Sequence, residues 1–490
     1  MAIVRLAPRL GALALAAGLA ACTVGPEYQP DEMALPAGWT ESRAAAEAQS
    51  IERLKSWWAE FQDPLLDKLV GQAIAGNYDL KIARQRLVQA RAERAIAGAA
   101  DYPQVKAEAS RTNSNSSTTV GWPPGIGQYH TWVAGFDASW ELDVFGGTAR
   151  SKEAAEAEIG AAIEDRRAIL VSLLAELADA YAGLRVSQLR RSIAEHNIEV
   201  AQKAVALTQT QLDRGFGTEL DLAQARAQQE TVEAGIPQLD AAIARAIHAI
   251  ALLQGQFPEQ LPGDLVTELE RPAPLMTVPA SLPVTLPSEV VANRPDIRRA
   301  ERRYAAANAR IGVATAAQFP DFSIPLLIEP NSAALHTLFE ARSLDWTVGA
   351  ALSQTVFDGG RIDARIEAAK AAAEQARLGY ETSVQGGFRE VEDALVNYRT
   401  EARRHVTLKA VVADDRKVLD QATRLYGAGL TDFLKVLDAE RSAYAADDVE
   451  AQSRYAEVTD VIALFKALGG GWQAVPFDDV PVAAKEAEGR

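Results

Sequence analysis

The chain of 490 residues has few of the side chains on which metal and redox enzymes depend. It contains one cysteine, Cys22, so disulfides within the chain and thiolate metal clusters are excluded. Its five histidines are scattered, and none stands in an HExxH or His-x-His pattern, which argues against a metal enzyme. Basic side chains are outnumbered as well, 50 against 66 acidic ones, for a formal net charge of −16. Because nucleic-acid binding needs a basic face, this balance argues against a nucleic-acid partner.

The N-terminus predicts a secretory signal peptide over residues 1–21. Arg5 and Arg9 are followed by an apolar run that ends near Ala20. This run is too short for a transmembrane helix, which needs about 20 apolar residues. Leu19-Ala20-Ala21-Cys22 resembles a bacterial lipobox, in which the cysteine becomes the lipid-bearing mature N-terminus. Thr23 stands where an inner-membrane retention signal usually has Asp, which favours the outer membrane. The alternative is an ordinary signal peptide with a chance cysteine.

The rest of the chain contains an internal repeat. Val144-Phe-Gly-Gly147 recurs as Val356-Phe-Asp-Gly-Gly360, and Tyr102-Pro103 recurs as Phe319-Pro320. The turn glycines Gly215 and Gly217 recur as Gly427 and Gly429. The predicted divisions are a lipid-anchored segment over 22–62, repeat 1 over 63–257, a proline-rich connector over 258–287, repeat 2 over 288–468 and a tail over 469–490.

Each repeat predicts a helix, two strands, a very long helix and a further helix. The long helices, over about 147–214 and 360–425, contain no proline and would be rods of roughly 100 Å at 1.5 Å per residue. The further helices are predicted over about 219–255 and 431–468. Apolar residues recur every three or four positions along the long helices, as in coiled-coil packing. These seam residues are Leu170, Leu174, Leu177, Tyr181 and Leu184, and Val384, Phe388, Val391, Leu395 and Tyr398.

Two strands in each repeat alternate apolar and polar residues. They are predicted over about 104–120 and 128–142, and over about 320–329 and 342–355. Segments of about ten residues with aromatic side chains on the apolar face are typical of transmembrane barrels, although a soluble sandwich or hairpin is an alternative. Four strands cannot close a barrel, and an open edge in hydrocarbon leaves backbone groups unpaired. Several chains must therefore join around an axis, and two, three or four subunits would give eight, twelve or sixteen strands.

The repeated element order, the start Cys22-Thr-Val-Gly-Pro-Glu-Tyr28 and the Gly-Gly entry to each long helix resemble the outer-membrane efflux factor (TolC-like) family. The resemblance is to the lipoprotein branch of this family, which serves resistance–nodulation–division pumps. The resemblance implies an α+β membrane protein. Three copies would form a twelve-stranded barrel, four strands each, continued by a periplasmic helical tunnel. It also implies a periplasmic membrane-fusion adaptor and an inner-membrane pump as partners, with no cofactor beyond a covalent lipid on Cys22.

The resemblance further implies a periplasmic gate near the second glycine turn. Asp438 matches a constricting acidic ring, and Leu434 matches an apolar constriction one turn earlier. Tyr426 and Asp221 match a hydrogen-bonded pair that ties the inner and outer helix pairs together. Thr431 stands where many relatives carry a basic latch residue, and nearby Arg424 is not a positional match. The alternatives are a capping box over Thr218–Asp221, a solvated Asp438 and a Leu434 that serves only seam packing.

The predicted function is a passive efflux duct without catalytic residues, because triad and phosphate-loop signatures do not occur in the sequence. One competing hypothesis is a lipid-anchored coiled-coil scaffold without a pore. Another keeps the duct but assigns it to protein secretion or metal export. With only three methionines and dispersed histidines, the sequence displays no relay of copper or silver ligands.

Overall fold

The computed structural model describes residues 23–30, 33–40, 50–115, 117, 128–282 and 287–475. The predicted signal peptide, Cys22 and most of the predicted tail lie outside these residues. The first part of the described chain contains helices α1 (Ser50–Lys55), α2 (Pro64–Gly76) and α3 (Tyr78–Ala99), strands β1 (Gln104–Asn115) and β2 (Gln128–Leu142), and helices α4 (Gly147–Asp213), α5 (Glu219–Glu233), α6 (Ile236–Leu253) and α7 (Gly263–Glu270).

The second part repeats this order. It contains helices α8 (Pro287–Asn293) and α9 (Pro295–Ala316), strands β3 (Asp321–Ser332), β4 (Leu344–Val348) and β5 (Ala351–Ser353), and helices α10 (Arg361–Gly427) and α11 (Phe433–Ala467). The long helices α4 and α10 each have 67 residues, and α3 and α9 each have 22. Equal lengths in the two halves mean that each helix of one half has a counterpart in the other, position by position.

The glycine turns that end α4 and α10 match in a register different from the one that the sequence suggested. Gly215 and Gly429 both adopt positive φ, at 76° and 71°. In both turns the next residue donates its N–H to a carbonyl five residues back, from Phe216 to Gln211 and from Leu430 to Leu425. Gly429 therefore corresponds to Gly215 and not to Gly217, because the helix C-terminus needs its left-handed residue at that position.

The helix predicted over 219–255 is divided into α5 and α6. Pro237 lies in the first turn of α6 and has no backbone N–H, so a single helix cannot continue through it. By length and mean hydropathy, residues 219–253 could cross a membrane. In this fold, however, Ile247 and Ile250 of α6 pack into the helical core.

The proline-rich connector is not wholly irregular. Its helix α7 buries Leu265 and Leu269, which lie one turn apart, in the same helical core. This core also contains Trp57, which stacks on Phe465 of α11 with ring centroids 5.1 Å apart. The connector and the N-terminal segment thus pack against the middle of the helical body.

The strands form one antiparallel sheet in the order β1-β2-β3, with both β4 and β5 paired to β3. The strand predicted over 342–355 is divided between β4 and β5. The division lies opposite Pro325, which accepts a hydrogen bond from Gly349 N–H at 3.1 Å but has no N–H to return. The first predicted strand ends at Asn115, and residues 118–120 of that prediction lie outside the described residues.

Candidate membrane anchor and periplasmic gate

The sheet of a single chain has two open edges. Within the described residues β1 pairs only with β2, and β4 and β5 pair only with β3. Large apolar side chains on these strands are exposed in the single chain, among them Phe136, Ile328 and Trp346. A sheet with apolar side chains facing outward and unpaired edges suits hydrocarbon only when further strands close it.

The N-terminal segment lies against the point where the sheet meets the helices. Val24 donates its N–H to the Phe145 carbonyl at 3.1 Å. The backbone of Thr23 passes so close to Gly146 that a Cβ on this glycine would lie 2.8 Å from Thr23 Cα. Gly146 is also the left-handed N-cap of α4. Cys22 itself lies outside the described residues, but the residue after it is held at the base of the sheet.

Arg150 of α4 holds this segment in place. Its guanidinium donates to the carbonyls of Val24 at 3.0 Å and Gly25 at 3.3 Å, and it pairs with Glu153 at 2.7 Å. Arg150 is only 4 % exposed. Below it, Asn308 of α9 donates to the Pro26 carbonyl at 3.2 Å. Residues 23–30, called here the strap, therefore bind both α4 and α9.

At the opposite end of the tunnel, the turn after α4 begins helix α5 with a capping box. The Asp221 N–H donates to Thr218 Oγ1 at 3.2 Å, while the Asp221 carboxylate accepts from Thr218 N at 3.0 Å and from Thr218 Oγ1 at 2.7 Å. These bonds satisfy donors at the helix N-terminus that would otherwise lack partners. The alternative reading of Asp221 as a capping residue thus describes its contacts in this structure.

The turn after α10 places the other predicted gate residues. Tyr426 is buried against Phe433, with ring centroids 5.5 Å apart. On α11, Val436 and Leu437 are buried, whereas Leu434 is 51 % exposed and Asp438 is exposed as well. Leu434 and Asp438 lie one helical turn apart and therefore share the open face of α11.

The structure does not contain the hydrogen bond between Tyr426 and Asp221 that the resemblance implied. The Tyr426 hydroxyl is buried without a hydrogen-bond partner among the described residues, and the Asp221 carboxylate is engaged by Thr218. Burial raises the pKa of Tyr426, and the nearby charge of Asp221 raises this pKa further, while the Thr208 hydroxyl opposes the rise. The expected basic latch has no substitute in Arg424, which pairs with Asp420 at 2.8 Å.

Glu440 is a buried group that the sequence reasoning missed. It lies one turn beyond Val436 and is 8 % exposed, and it has no hydrogen bond or ion pair in the part of the chain that the structure describes. Burial raises the pKa of its carboxyl to about 7. Its position was visible in the sequence, because Phe433, Val436, Leu437 and Glu440 recur at helical spacing.

No group of three or more His, Cys, Asp or Glu in the described residues is arranged to hold a metal ion. The histidine with the most acidic surroundings is His405 of α10. Its Nδ1 lies 2.7 Å from Glu457 and its Nε2 3.1 Å from Glu450, both on α11. With both ring nitrogens engaged, this residue crosslinks the two helices.

Comparison with known proteins agrees with this geometry. The family model described as outer membrane efflux protein matches residues 69–256 and 286–470. The chain belongs to this family. The cation efflux system protein CusC of Escherichia coli O6:H1 is 32 % identical, over 94 % of this chain and 98 % of CusC. The probable outer membrane lipoprotein SilC of Salmonella typhimurium is 30 % identical, over 93 % and 96 %. The outer-membrane channel OprN has a solved structure with a TM-score of 0.85 and 37 % identity, covering 92 % of this chain and all of that one.

This membership in the outer membrane efflux protein family confirms the predicted fold class. Three copies form the barrel and the helical tunnel that continues it into the periplasm. It also confirms the predicted function and location, which are an outer-membrane channel of a tripartite efflux system. The partners are a periplasmic adaptor and an inner-membrane pump. Members of the family are channels.

Proposed function

We propose that this efflux channel is a passive exit duct for drugs or other small toxic compounds, with no catalytic step of its own. The observation that carries the proposal is the direct continuation of an open-edged sheet into two helices of 67 residues, each about 100 Å long. Rods of this length extend well beyond the roughly 40–45 Å of a bilayer. The driving force then lies in the pump, which uses a proton gradient or ATP.

Purified trimers in planar lipid bilayers test this proposal. If the protein is a duct, the trimers should conduct ions. Their mobility in gel electrophoresis should also change when the sample is heated. The competing scaffold hypothesis gives neither property. A trimer that inserts but never conducts, even in complex with its adaptor, would contradict the duct.

Lipid attachment at Cys22 is part of the proposal. It is supported by the lipobox and by the strap, which holds Thr23 beside Gly146 at the base of the sheet. An acyl chain on the preceding residue would enter the periplasmic leaflet next to the barrel. Intact mass spectrometry should find a diacylated or triacylated Cys22, and an unmodified mature N-terminus elsewhere would contradict the attachment.

The gate proposal assigns the constriction to Leu434 and Asp438 on the open face of α11. Three symmetry-related carboxylates near one axis repel each other and attract cations. Tyr426 and Asp221 then support the constriction by packing and by helix capping, without a bond to each other. The glycine turns at 215, 217, 427 and 429 join the helices at this end.

Asp438→Ala tests the acidic ring. We expect weaker block of the conductance by trivalent cations, because the variant removes three converging charges at once. Asp432→Asn is the matched control, since Asp432 caps α11 through Lys435 N–H at 3.1 Å and the amide preserves this cap. Equal block in wild type and Asp438→Ala would contradict the ring.

The cargo is the least constrained part of the proposal. The name of CusC describes cation efflux, which favours metal export as the second candidate. The described residues contain no group that could hold a metal, so any metal selectivity would be supplied by the pump. Co-purification of the trimer with its adaptor, followed by mass spectrometry of the attached pump, would decide between these cargo classes.

A further inference from the structure

Neighbouring protomers of the trimer meet along a surface whose residues can be identified from the internal repeat. Within one protomer α3 packs on α4, α4 on α9, and α9 on α10. The four helices thus form a row whose outer members are α3 and α10. When three copies close into a ring, α10 of one protomer meets α3 of its partner. Because α10 repeats α4 and α3 repeats α9, this seam is the counterpart of the α4–α9 seam inside the protomer.

The inner seam is closed by an aromatic contact at the level where sheet and helices meet. Phe145, before α4, stacks on Phe319, after α9, with ring centroids 4.6 Å apart and planes at 22°. Phe322 at the start of β3 lies next to Phe145 at 6.5 Å. The inner seam therefore has an apolar contact where the tunnel begins.

The counterparts of these residues have no such cover in the single chain. The sequence repeat pairs Phe145 with Phe357 and Phe319 with Tyr102. Phe357 is 90 % exposed and Tyr102 is 71 % exposed. Val105, which occupies the position of Phe322 in the first repeat, is exposed too. Exposed aromatic side chains at both ends of the row indicate a surface that another copy covers.

The helices give a second, independent observation. In the inner seam, Arg299 pairs with Asp165 at 2.5 Å and Arg298 pairs with Glu164 at 2.8 Å. Counting from the matched starts of the helices, the pair Arg299–Asp165 corresponds to Ile82 and Gly379, and the pair Arg298–Glu164 corresponds to Lys81 and Leu378, so neither ion pair is repeated in the outer row. Both Ile82 and Leu378 are exposed in the single chain. Apolar side chains therefore stand at positions of the outer row that are charged and paired in the inner seam.

We infer that Phe357 stacks on Tyr102 of the partner subunit, and that this aromatic contact closes each seam of the trimer. The open sheet edges agree with this assignment, because β5 lies beside Phe357 and β1 begins just after Tyr102. The same contact that joins α10 to the next protomer thus brings the two unpaired edges together. The inference goes beyond the proposed function, since it names the residues that one copy presents to another.

Cross-linking in membranes tests the pairing. Chains with Tyr102→Cys alone and tagged chains with Phe357→Cys alone are expressed together, with Cys22 retained, and treated with a thiol-specific cross-linker. The control chain carries Phe145→Cys and Phe319→Cys, and the reagent length is chosen so that it joins this pair within one chain. We expect dimers that contain one chain of each kind, and no cross-linked oligomer from the control. Absence of mixed dimers with that reagent overturns the pairing.

Trimer stability gives a second measurement that does not need introduced cysteines. Phe357→Ala should lose the trimer band in detergent at a lower temperature than the wild type, and Phe357→Tyr should restore it. Phe339→Ala is the control, because Phe339 is similarly exposed but lies outside the helical row, between β3 and β4. Equal dissociation temperatures for Phe357→Ala and Phe339→Ala overturn the contact.

Discussion

The membrane end and the periplasmic end of the tunnel differ in how their polar groups are satisfied. At the membrane end, the buried Arg150 bonds two carbonyls of the strap and one carboxylate. At the periplasmic end, the Tyr426 hydroxyl is buried with no hydrogen-bond partner among the described residues, and the mostly buried Glu440 makes no hydrogen bond or ion pair there. Burying a polar group without a partner costs stability, so these two side chains oppose folding where Arg150 favours it. The proposed gate lies at this end, and these two side chains add no polar bond that opening would have to break.

From this comparison we expect substitution of Arg150 to have the largest effect on stability. Arg150→Ala removes three hydrogen bonds at a buried site and should lower the free energy of unfolding by roughly 3 kcal/mol. The thermal midpoint of the detergent-solubilised trimer measures the loss by circular dichroism. Lys370→Ala is the control, because its pair with Glu367 is exposed and contributes little. A midpoint equal to that of Lys370→Ala would contradict the role of the strap as a rigid attachment.

Substitution of Glu440 should have the next largest effect on stability, and it should stabilise the chain where Arg150→Ala destabilises it. The pKa of its carboxyl is raised from 4.5 to about 7, so the folded chain holds the proton more tightly than the unfolded chain. Stability should therefore fall as the pH rises from about 4.5 to about 7, and Glu440→Gln should remove this part of the slope. At pH 8 we expect the variant to be more stable by about 2 kcal/mol, less than the full shift because the amide still lacks partners.

The pH dependence of the thermal midpoint measures this difference. Glu367→Gln is the control, because it makes the same change from a carboxyl to an amide at an exposed position of α10. At pH 4.5 the wild type and Glu440→Gln should have similar midpoints. Parallel curves for these two chains across the whole pH range would show that Glu440 has a partner in the trimer.

Asp221 should have a smaller effect, through the capping box. Asp221→Ala should cost about 1 kcal/mol, and Thr218→Val should cost about the same, because each removes one half of the box. Thermal unfolding measures both losses, and conductance of the trimer measures their effect on the gate. If Asp221→Ala opened the channel much more than Thr218→Val, Asp221 would have a second contact that the cap does not explain.

Tyr426→Phe should have the smallest effect. It deletes a hydroxyl that has no hydrogen-bond partner within the described part of the chain, so stability should change by less than about 1 kcal/mol and conductance should not change. Tyr181→Phe is the contrasting control. The Tyr181 hydroxyl donates to Asp63 at 2.7 Å and accepts from Arg185 at 3.0 Å, so its loss should cost about 1–3 kcal/mol. Frequent channel opening in Tyr426→Phe would instead indicate a hydrogen bond formed in the closed trimer.

The elements of the fold were largely predictable, because each depends on a local pattern. Helix α4 begins at the second glycine of its Gly-Gly pair, α10 begins directly after its own pair, and β2 has the bounds that its alternation predicted. The prediction was wrong where a single residue interrupts the pattern. Pro237 separates α5 from α6, and Pro325 divides the last strand although it lies on the neighbouring one. The second effect acts across the sheet and could not be seen in the sequence of β4 itself.

The candidate site was only partly predictable. The open face of α11 follows from the spacing of Leu434 and Asp438, and the structure leaves both side chains exposed. The bond between Tyr426 and Asp221 did not follow, because the local Thr218 hydroxyl engages the same carboxylate. The match of Gly429 with Gly215 could be recognised only from the backbone φ angles, because the amino-acid sequences of the two turns align equally well in the other register.

By itself, the sequence predicted a signal peptide, and it determined the duplication, the strand and helix types, and the need for further copies to close the sheet. These features follow from apolar periodicity and from backbone groups that cannot remain unpaired in hydrocarbon. Only the tertiary structure decided that Arg150 holds the strap, that Glu440 is buried alone and that Phe145 is covered while Phe357 is not. Each of these outcomes depends on which distant segment arrives at a given surface, and that is set by how the long helices pack.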